Sequence, residues 1–313
     1  MLVIVAPGQG AQTPGFLAPW LEVDGVADRL HRWSDVAGLD LVHYGTEADA
    51  AGIKDTAVAQ PLLVASGLAA ALALFPQGAG TQVSAVAGHS VGEITAAAFA
   101  GVMSDESAMS FVRERGLAMA AAAAETATGM CAVLGGDPDA VAAKLAEHGL
   151  TAANNNGGGQ IVAAGTLDQI AAFRADGPEK ARLIALSVAG AFHTHHMAHG
   201  VERLARIAPG VPVSDPVTAY VSNADGKIVE SGSEILDRLV SQVSNPVRWD
   251  LCMEALEALG ATCVIEVPPA GTLTNLVKRN LKGVATLALK TPADLDKARE
   301  LIAEHAAPEG DVV

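Results

Sequence analysis

The chain has 313 residues, half of them apolar, with 35 acidic residues against 20 basic ones and a net charge of −15. That length buries a sizeable core, as one large domain or two smaller ones, and the acidic balance excludes a general nucleic-acid binder, which needs a basic footprint. The three cysteines, Cys131, Cys252 and Cys263, are odd in number and lack C-x-x-C spacing. Free thiols in a reducing, cytoplasmic compartment are therefore expected, not a disulfide framework.

Residues 1–6 are too short for the apolar core of a signal peptide and follow no basic segment. The unbroken run Leu2-Val3-Ile4-Val5-Ala6 instead predicts a central parallel strand buried on both faces. It empties into Pro7-Gly8-Gln9-Gly10-Ala11-Gln12, a loop. The longest apolar stretch, residues 62–75, is interrupted by Ser66 and Gly67 and flanked by Pro61 and Pro76. It falls short of the roughly 20 residues of a membrane span and predicts a buried helix starting at Pro61, so no membrane association is expected. A strand from Val83 ends at Gly88, and an alanine-rich helix begins past Ser90 and runs to Ala100; a further helix covers 105–124. Strands alternating with helices predict an α/β sheet with ligands beyond the carboxyl ends of its strands.

From Gly129 the pattern changes. Strand 130–134 precedes a helix bracketed by Asp137, Pro138 and Gly149. Strands near 150–153 and 160–164 are separated by the run Asn154 to Gly159, a helix capped by Thr166 and Gln169 follows, and 182–188 is a last strand. This β-α-β-β-α-β order is ferredoxin-like. The predicted architecture is a mainly parallel α/β core, 1–126 with 193–313, carrying an inserted small subdomain over 127–192. Strand 262–267 and helix 271–281 complete the core, and the residues from Pro308 read as a frayed tail.

Gly88-His89-Ser90-Val91-Gly92 fits G-x-S-x-G between a strand and a helix, the context of a nucleophile elbow. Glycines two positions either side of Ser90 remove clashes at so tight a turn, and the Val91 N–H at the helix start is placed to stabilise an oxyanion. A serine nucleophile needs a base, and His193 is the best placed; His43, His89 and His148 are rivals. Acids between Ser90 and His193 read as helix caps, so a backbone carbonyl is expected to orient the imidazole. The cluster His193, His195, His196 and His199 lacks H-E-x-x-H spacing, and no metal site is expected. Arg115 falls on an apolar helical stripe with Ala108, Val112 and Met119, where a guanidinium needs an anion; a substrate carboxylate fits. Gln9, Gln60 and Gln242, read as lying in Gly-rich or Pro-flanked loops, carry weaker signals.

Taken together, the Gln9 loop, Gln60-Pro61, the Ser90 elbow with Glu93, Arg115-Gly116, Ala191-Phe192-His193, and Ser241-Gln242 with Asn245-Pro246-Val247-Arg248-Trp249 stand in one order. As a set they resemble malonyl-CoA:acyl carrier protein transacylases and the related acyltransferase domains of polyketide synthases, from Leu2 to about Lys282. The resemblance implies a hydrolase-like core with a ferredoxin-like insert. It also implies Ser90 as acylated nucleophile, His193 as base and acid, and Gln242 lending its main-chain carbonyl to the imidazole. The N–H groups of Gln9 and Val91 would form the oxyanion hole, Arg115 would hold the malonyl carboxylate, and Asn154 and Asn156 would line the cleft. Phe192 would select malonyl over methylmalonyl. No cofactor is implied beyond the substrates, a coenzyme A thioester and a phosphopantetheinylated acyl carrier protein. Lys180 with Arg182, or Lys278 with Arg279, are candidate docking cations for that acidic partner. An esterase or thioesterase using the same pair, and a catalytically silent carrier-binding module, are the alternatives.

Overall fold

Five consecutive apolar residues, Leu2–Ala6, form β1 with every side chain buried, as a strand covered on both faces requires. The computed structural model describes residues 1–78 and 80–306, and the tail expected from Pro308 lies outside the described residues. After β1 come α1 (Val26–Ala37), α2 (Leu41–Thr46), α3 (Thr56–Leu74), β2 (Ala85–Gly88), α4 (Gly92–Phe99) and α5 (Asp105–Glu125). Then follow β3 (Thr128–Gly135), α6 (Pro138–Glu147), β4 (Thr151–Asn155), β5 (Gln160–Thr166), α7 (Leu167–Ala175) and β6 (Ala181–Leu186). The chain continues through α8 (Ala198–Ile207), β7 (Ala219–Val221), β8 (Ile228–Val229), α9 (Gly232–Ser241), β9 (Val247–Arg248) and α10 (Trp249–Ala258). It closes with β10 (Cys263–Glu266), α11 (Thr272–Asn280), β11 (Ala285–Ala288) and α12 (Leu295–His305).

One sheet has the order β11-β10-β1-β2-β7-β8, parallel except for the edge strand β8. Ala6 pairs with Gly88, so the Gln9 loop and the Ser90 turn leave neighbouring strands at the same edge. The second sheet, β6-β3-β5-β4-β9, contains the expected βαββαβ unit. Its two helices are capped as read, by Asp137 and by the Thr166–Gln169 capping box. Asn154 and Asn155, expected in the connection between strands, belong to β4: Val247 and Arg248 of β9 pair with them in parallel and extend the ladder.

The helix expected to start at Pro61 starts at Thr56, capped by the Asp55 side chain, and Pro61 lies inside it. A proline there leaves the carbonyl four residues earlier without its helical donor. That carbonyl, Ala57 O, instead accepts from Arg113 Nη1 at 2.7 Å, which lets the helix run through the proline. α3 has the length and hydropathy of a membrane span, but 78% of its most apolar window is buried inside the fold. It is a core helix, packed against α4 and α5. The predicted strands 83–88 and 182–188 shorten to β2 and β6. All three cysteines are buried and free.

Candidate active site

β2 ends and α4 begins within four residues, and Ser90 sits between them with a φ of 54°. A non-glycine residue adopts that left-handed geometry only when its surroundings hold it there. The two flanking glycines allow the turn: a Cβ on Gly88 would meet Gly92 C at 2.0 Å, and one on Gly92 would meet Ala6 O at 2.2 Å. Asn223, just past β7, clasps the turn from below. Its Oδ1 accepts from Ser90 N at 2.8 Å and its Nδ2 donates to Gly88 O at 2.7 Å.

His193 follows the ferredoxin-like unit, also with a left-handed φ, 61°. Its Nε2 lies 2.8 Å from Ser90 Oγ, and its Nδ1 lies 2.8 Å from the main-chain oxygen of Gln242. A carbonyl can only accept, so Nδ1 carries the proton and Nε2 is left as the acceptor for the serine hydroxyl. Burial, then the nearby Arg115 charge, pulls the His193 pKa down to about 3. The imidazole is therefore neutral at pH 7 and able to take a proton. Among the described residues no side-chain acid orients it; the Gln242 backbone carbonyl does.

Arg115 is 1% exposed, on the predicted stripe with buried Ala108, Val112 and Met119. Its Nη1 donates to Gln60 Oε1 at 2.7 Å, and its Nη2 to Gln242 Oε1 at 2.7 Å and Ser90 Oγ at 3.2 Å. All three acceptors are neutral, and Nε has no partner among the described residues. Burial lowers the Arg115 pKa to about 10, while Glu93 opposes the shift. The group stays charged at neutral pH and has unused donor capacity beside the serine. Gln60 lies on a buried helix and not in a loop, because the Asp55 cap starts α3 five residues earlier than expected, at Thr56.

A cavity of about 250 Å³ opens on Ser90 and His193, lined also by Gln9, Gln60, Val91 and Phe192, with Arg115 behind the wall, bonded to Gln60 and Ser90. The N–H groups of Gln9 and Val91 donate to no other group among the described residues. Asn154 and Asn156 face the same cavity, as alternate residues of an extended segment do, while Asn155 turns away to Asp250. Asn156 Oδ1 accepts from His89 Nε2 at 3.0 Å, so that rival base is engaged elsewhere. The remaining rivals lie outside the cavity: His43 meets Glu47, and His148 lies by Asp176. His199, from the local cluster, bonds Glu125 at 2.6 Å, away from His193. Sequence reasoning missed Asn223 as a site residue and gave Glu93 no role. Glu93 is 1% exposed and accepts from Asn223 N at 2.7 Å and from Gln242 Nε2. An acid beside a chain of apolar helix residues, and an asparagine straight after a strand, were the available signals.

Comparison with known proteins gives the same picture at the scale of the whole chain. A profile of the family described as "Acyl transferase domain" matches residues 3–302. The malonyl CoA-acyl carrier protein transacylase of Mycobacterium tuberculosis is 48% identical over 303 residues, covering 96% of this chain and all of that protein. The Escherichia coli K12 protein of the same name is 32% identical over 95% of this chain and 98% of its own length. Among solved structures, the M. tuberculosis MCAT crystal structure superposes with a TM-score of 0.93 at 48% identity, covering 96% of this chain and 99% of that one. A malonyl-transacylase solved in complex with a type II PKS acyl-carrier protein superposes with a TM-score of 0.88 at 30% identity, covering 96% and 99% of the two chains. With its elbow, its insert and a profile match over residues 3–302, the chain belongs to the acyl transferase family.

Proposed function

We propose that this chain moves a malonyl group from malonyl-CoA to the phosphopantetheine thiol of an acyl carrier protein, through an ester on Ser90, supplying extender units for fatty-acid or polyketide synthesis. The observation that carries the reading is Arg115. A charged guanidinium whose acceptors are all neutral, touching the Ser90 hydroxyl, suits an acyl group with its own free carboxylate. Simple ester hydrolysis gives that side chain no task.

In the first half-reaction His193 Nε2 takes the Ser90 proton as Oγ attacks the thioester carbonyl. The negative charge on that oxygen is held by the N–H groups of Gln9 and Val91. Collapse expels coenzyme A thiolate, which receives the proton from His193, and leaves malonyl-Ser90. The carrier thiol then gives its proton to His193, attacks the ester, and leaves as the malonyl thioester while Ser90 regains its proton. No redox step or external base enters, and the chemistry rests on side chains, main-chain amides and the two thioester partners. Phe192, in the cavity wall, limits the space beside the malonyl methylene. The catalytic unit is 1–126 with 193–313, and the unit 127–192 contributes the wall bearing Asn154 and Asn156. The same reading places the enzyme in the cytoplasm.

Intact-mass measurement after brief mixing with malonyl-CoA tests this directly. The expected result is a malonyl adduct that moves to added holo-carrier and is absent in Ser90→Ala, whose activity falls on the order of 10⁶-fold. An adduct lost only to water would make the chain a thioesterase.

A further inference from the structure

Glu93 has no part in the steps above, yet it is a buried carboxylate one side chain away from the buried guanidinium. Among the described residues no carboxylate lies within ion-pair distance of Arg115. What connects the two charges is the carboxamide of Gln242. Its Oε1 accepts from Arg115 Nη2 at 2.7 Å. Its Nε2 donates to Glu93, with longer contacts of 3.3 Å to Ser90 O and to Asn223 Oδ1. Once ionised, above its pKa of about 7, Glu93 can only accept, so it fixes which end of the amide faces it and therefore which end faces Arg115. Burial raises the Glu93 pKa to about 7 and lowers that of Arg115 to about 10, and each group opposes the other's shift by favouring its charged form.

We infer that Glu93 is a positioning residue for substrate choice: through the Gln242 amide it orients Arg115 and supplies its counter-charge without occupying it. This rests on Arg115 as the carboxylate-binding group. A direct Glu93–Arg115 pair would compete with the substrate carboxylate. One amide between them keeps the guanidinium charged, fixed and open to a second anion. A buried cation with no counter-charge at all would be strongly destabilised.

Glu93→Gln isolates the link. The introduced amide still accepts from Asn223 N through its oxygen, so the clasp on the Ser90 turn survives. Its nitrogen then faces Gln242 Nε2, donor against donor. Turning the Gln242 amide over only moves the conflict to Arg115 Nη2. The experiment measures kcat and KM of purified wild type, Glu93→Gln, Gln242→Ala and the double variant, with malonyl-CoA and with acetyl-CoA, beside a thermal melt.

The expected result is a malonyl KM raised about tenfold to a hundredfold in Glu93→Gln, the worth of one charge-assisted hydrogen bond, with acetyl transfer changed less than about threefold. Gln242→Ala keeps the main-chain oxygen that holds His193 and should lower the malonyl-to-acetyl ratio similarly. In that background Glu93→Gln should add little, since the bridge is already gone. Equal losses with both acyl groups, or an unmoved ratio, would overturn the inference and reduce Glu93 to a structural role. Should Glu93→Gln not fold, Gln242→Ala decides: a fallen ratio supports the link, an unchanged ratio overturns it. A wild type that forms no malonyl ester on Ser90 fails the functional reading and this inference together. One that forms the ester, with its ratio untouched in the variants, fails this inference alone.

Discussion

Two oppositely behaving titratable groups meet under the Ser90 turn. His193 has a pKa of about 3 because burial and the Arg115 charge penalise its protonated form. Glu93 has a pKa of about 7, chiefly because burial penalises its charged form. Their contributions to stability run in opposite directions. The unfolded chain protonates His193 near its ordinary value of 6.5, whereas the folded chain resists until about pH 3. Stability from His193 is therefore complete above pH 6.5 and is lost as the pH falls from there towards 3. Glu93 binds its proton more readily when folded, so its contribution is complete below its ordinary value of 4.5 and is lost as the pH rises through 7. Across pH 4.5–6.5 the two slopes oppose. Replacing His193 by Gln removes one of them, so the wild type should lose about 1.4 kcal/mol per pH unit relative to the variant as the pH falls below 6.5. Urea unfolding at several pH values reads this difference. Parallel pH profiles would mean that the folded imidazole titrates near its ordinary value of 6.5 and that burial does not hold it neutral below that pH.

At the scale of elements, α3 shows how a long-range contact overrides local sequence. Pro61 is a helix-start residue by its own chemistry, yet it stands in the second turn because Arg113 of α5 satisfies Ala57 O. Arg113→Met should cost about 1–3 kcal/mol, the penalty for a buried carbonyl left without a donor. Adding Pro61→Ala restores the helical N–H and should recover much of that loss in a denaturant titration. A double variant no more stable than Arg113→Met would show that the carbonyl does not need the bond. The same distinction separates what was legible from what was not. The elbow, the Asp137 cap, the Thr166–Gln169 capping box, the βαββαβ order and the Arg115 stripe are encoded within a few residues each, through turn geometry and periodicity. β9 completing the second sheet, Asn223 beneath Ser90 and Glu93 behind Gln242 are not, because their partners lie some 90 to 150 residues away along the chain. Glu93 also has an ordinary local explanation, an acid in the first turn of α4, which conceals its place in the site.

The whole molecule poses a problem of charge: in the proposed function a chain of net charge −15 receives a carrier expected to be acidic as well. Between Glu266 and Asp294 there is no acidic residue, while Lys278, Arg279, Lys282 and Lys290 all fall in that interval. α11 turns Leu273 and Leu276 into the cavity at Ser90 and leaves Lys278 and Arg279 exposed within one turn of it. The other candidate pair, Lys180 and Arg182, stands at the start of β6, next to Glu179. It is roughly 13 Å of strand from Leu186, where that strand reaches the cavity. Proximity and the lack of neighbouring acids both favour α11 as the docking face. Charge reversal at Lys278 and Arg279 should raise the KM for holo-carrier about tenfold at low salt and flatten its salt dependence. Reversal at Lys180 and Arg182 should change it less than about twofold. Coenzyme A is itself anionic, so formation of malonyl-Ser90 is followed separately with a small malonyl thioester lacking phosphates. If both pairs behave alike, the carrier approaches by another face. If the α11 reversal slows acylation from malonyl-CoA but leaves the carrier step intact, these cations serve the coenzyme A phosphates and not the protein partner.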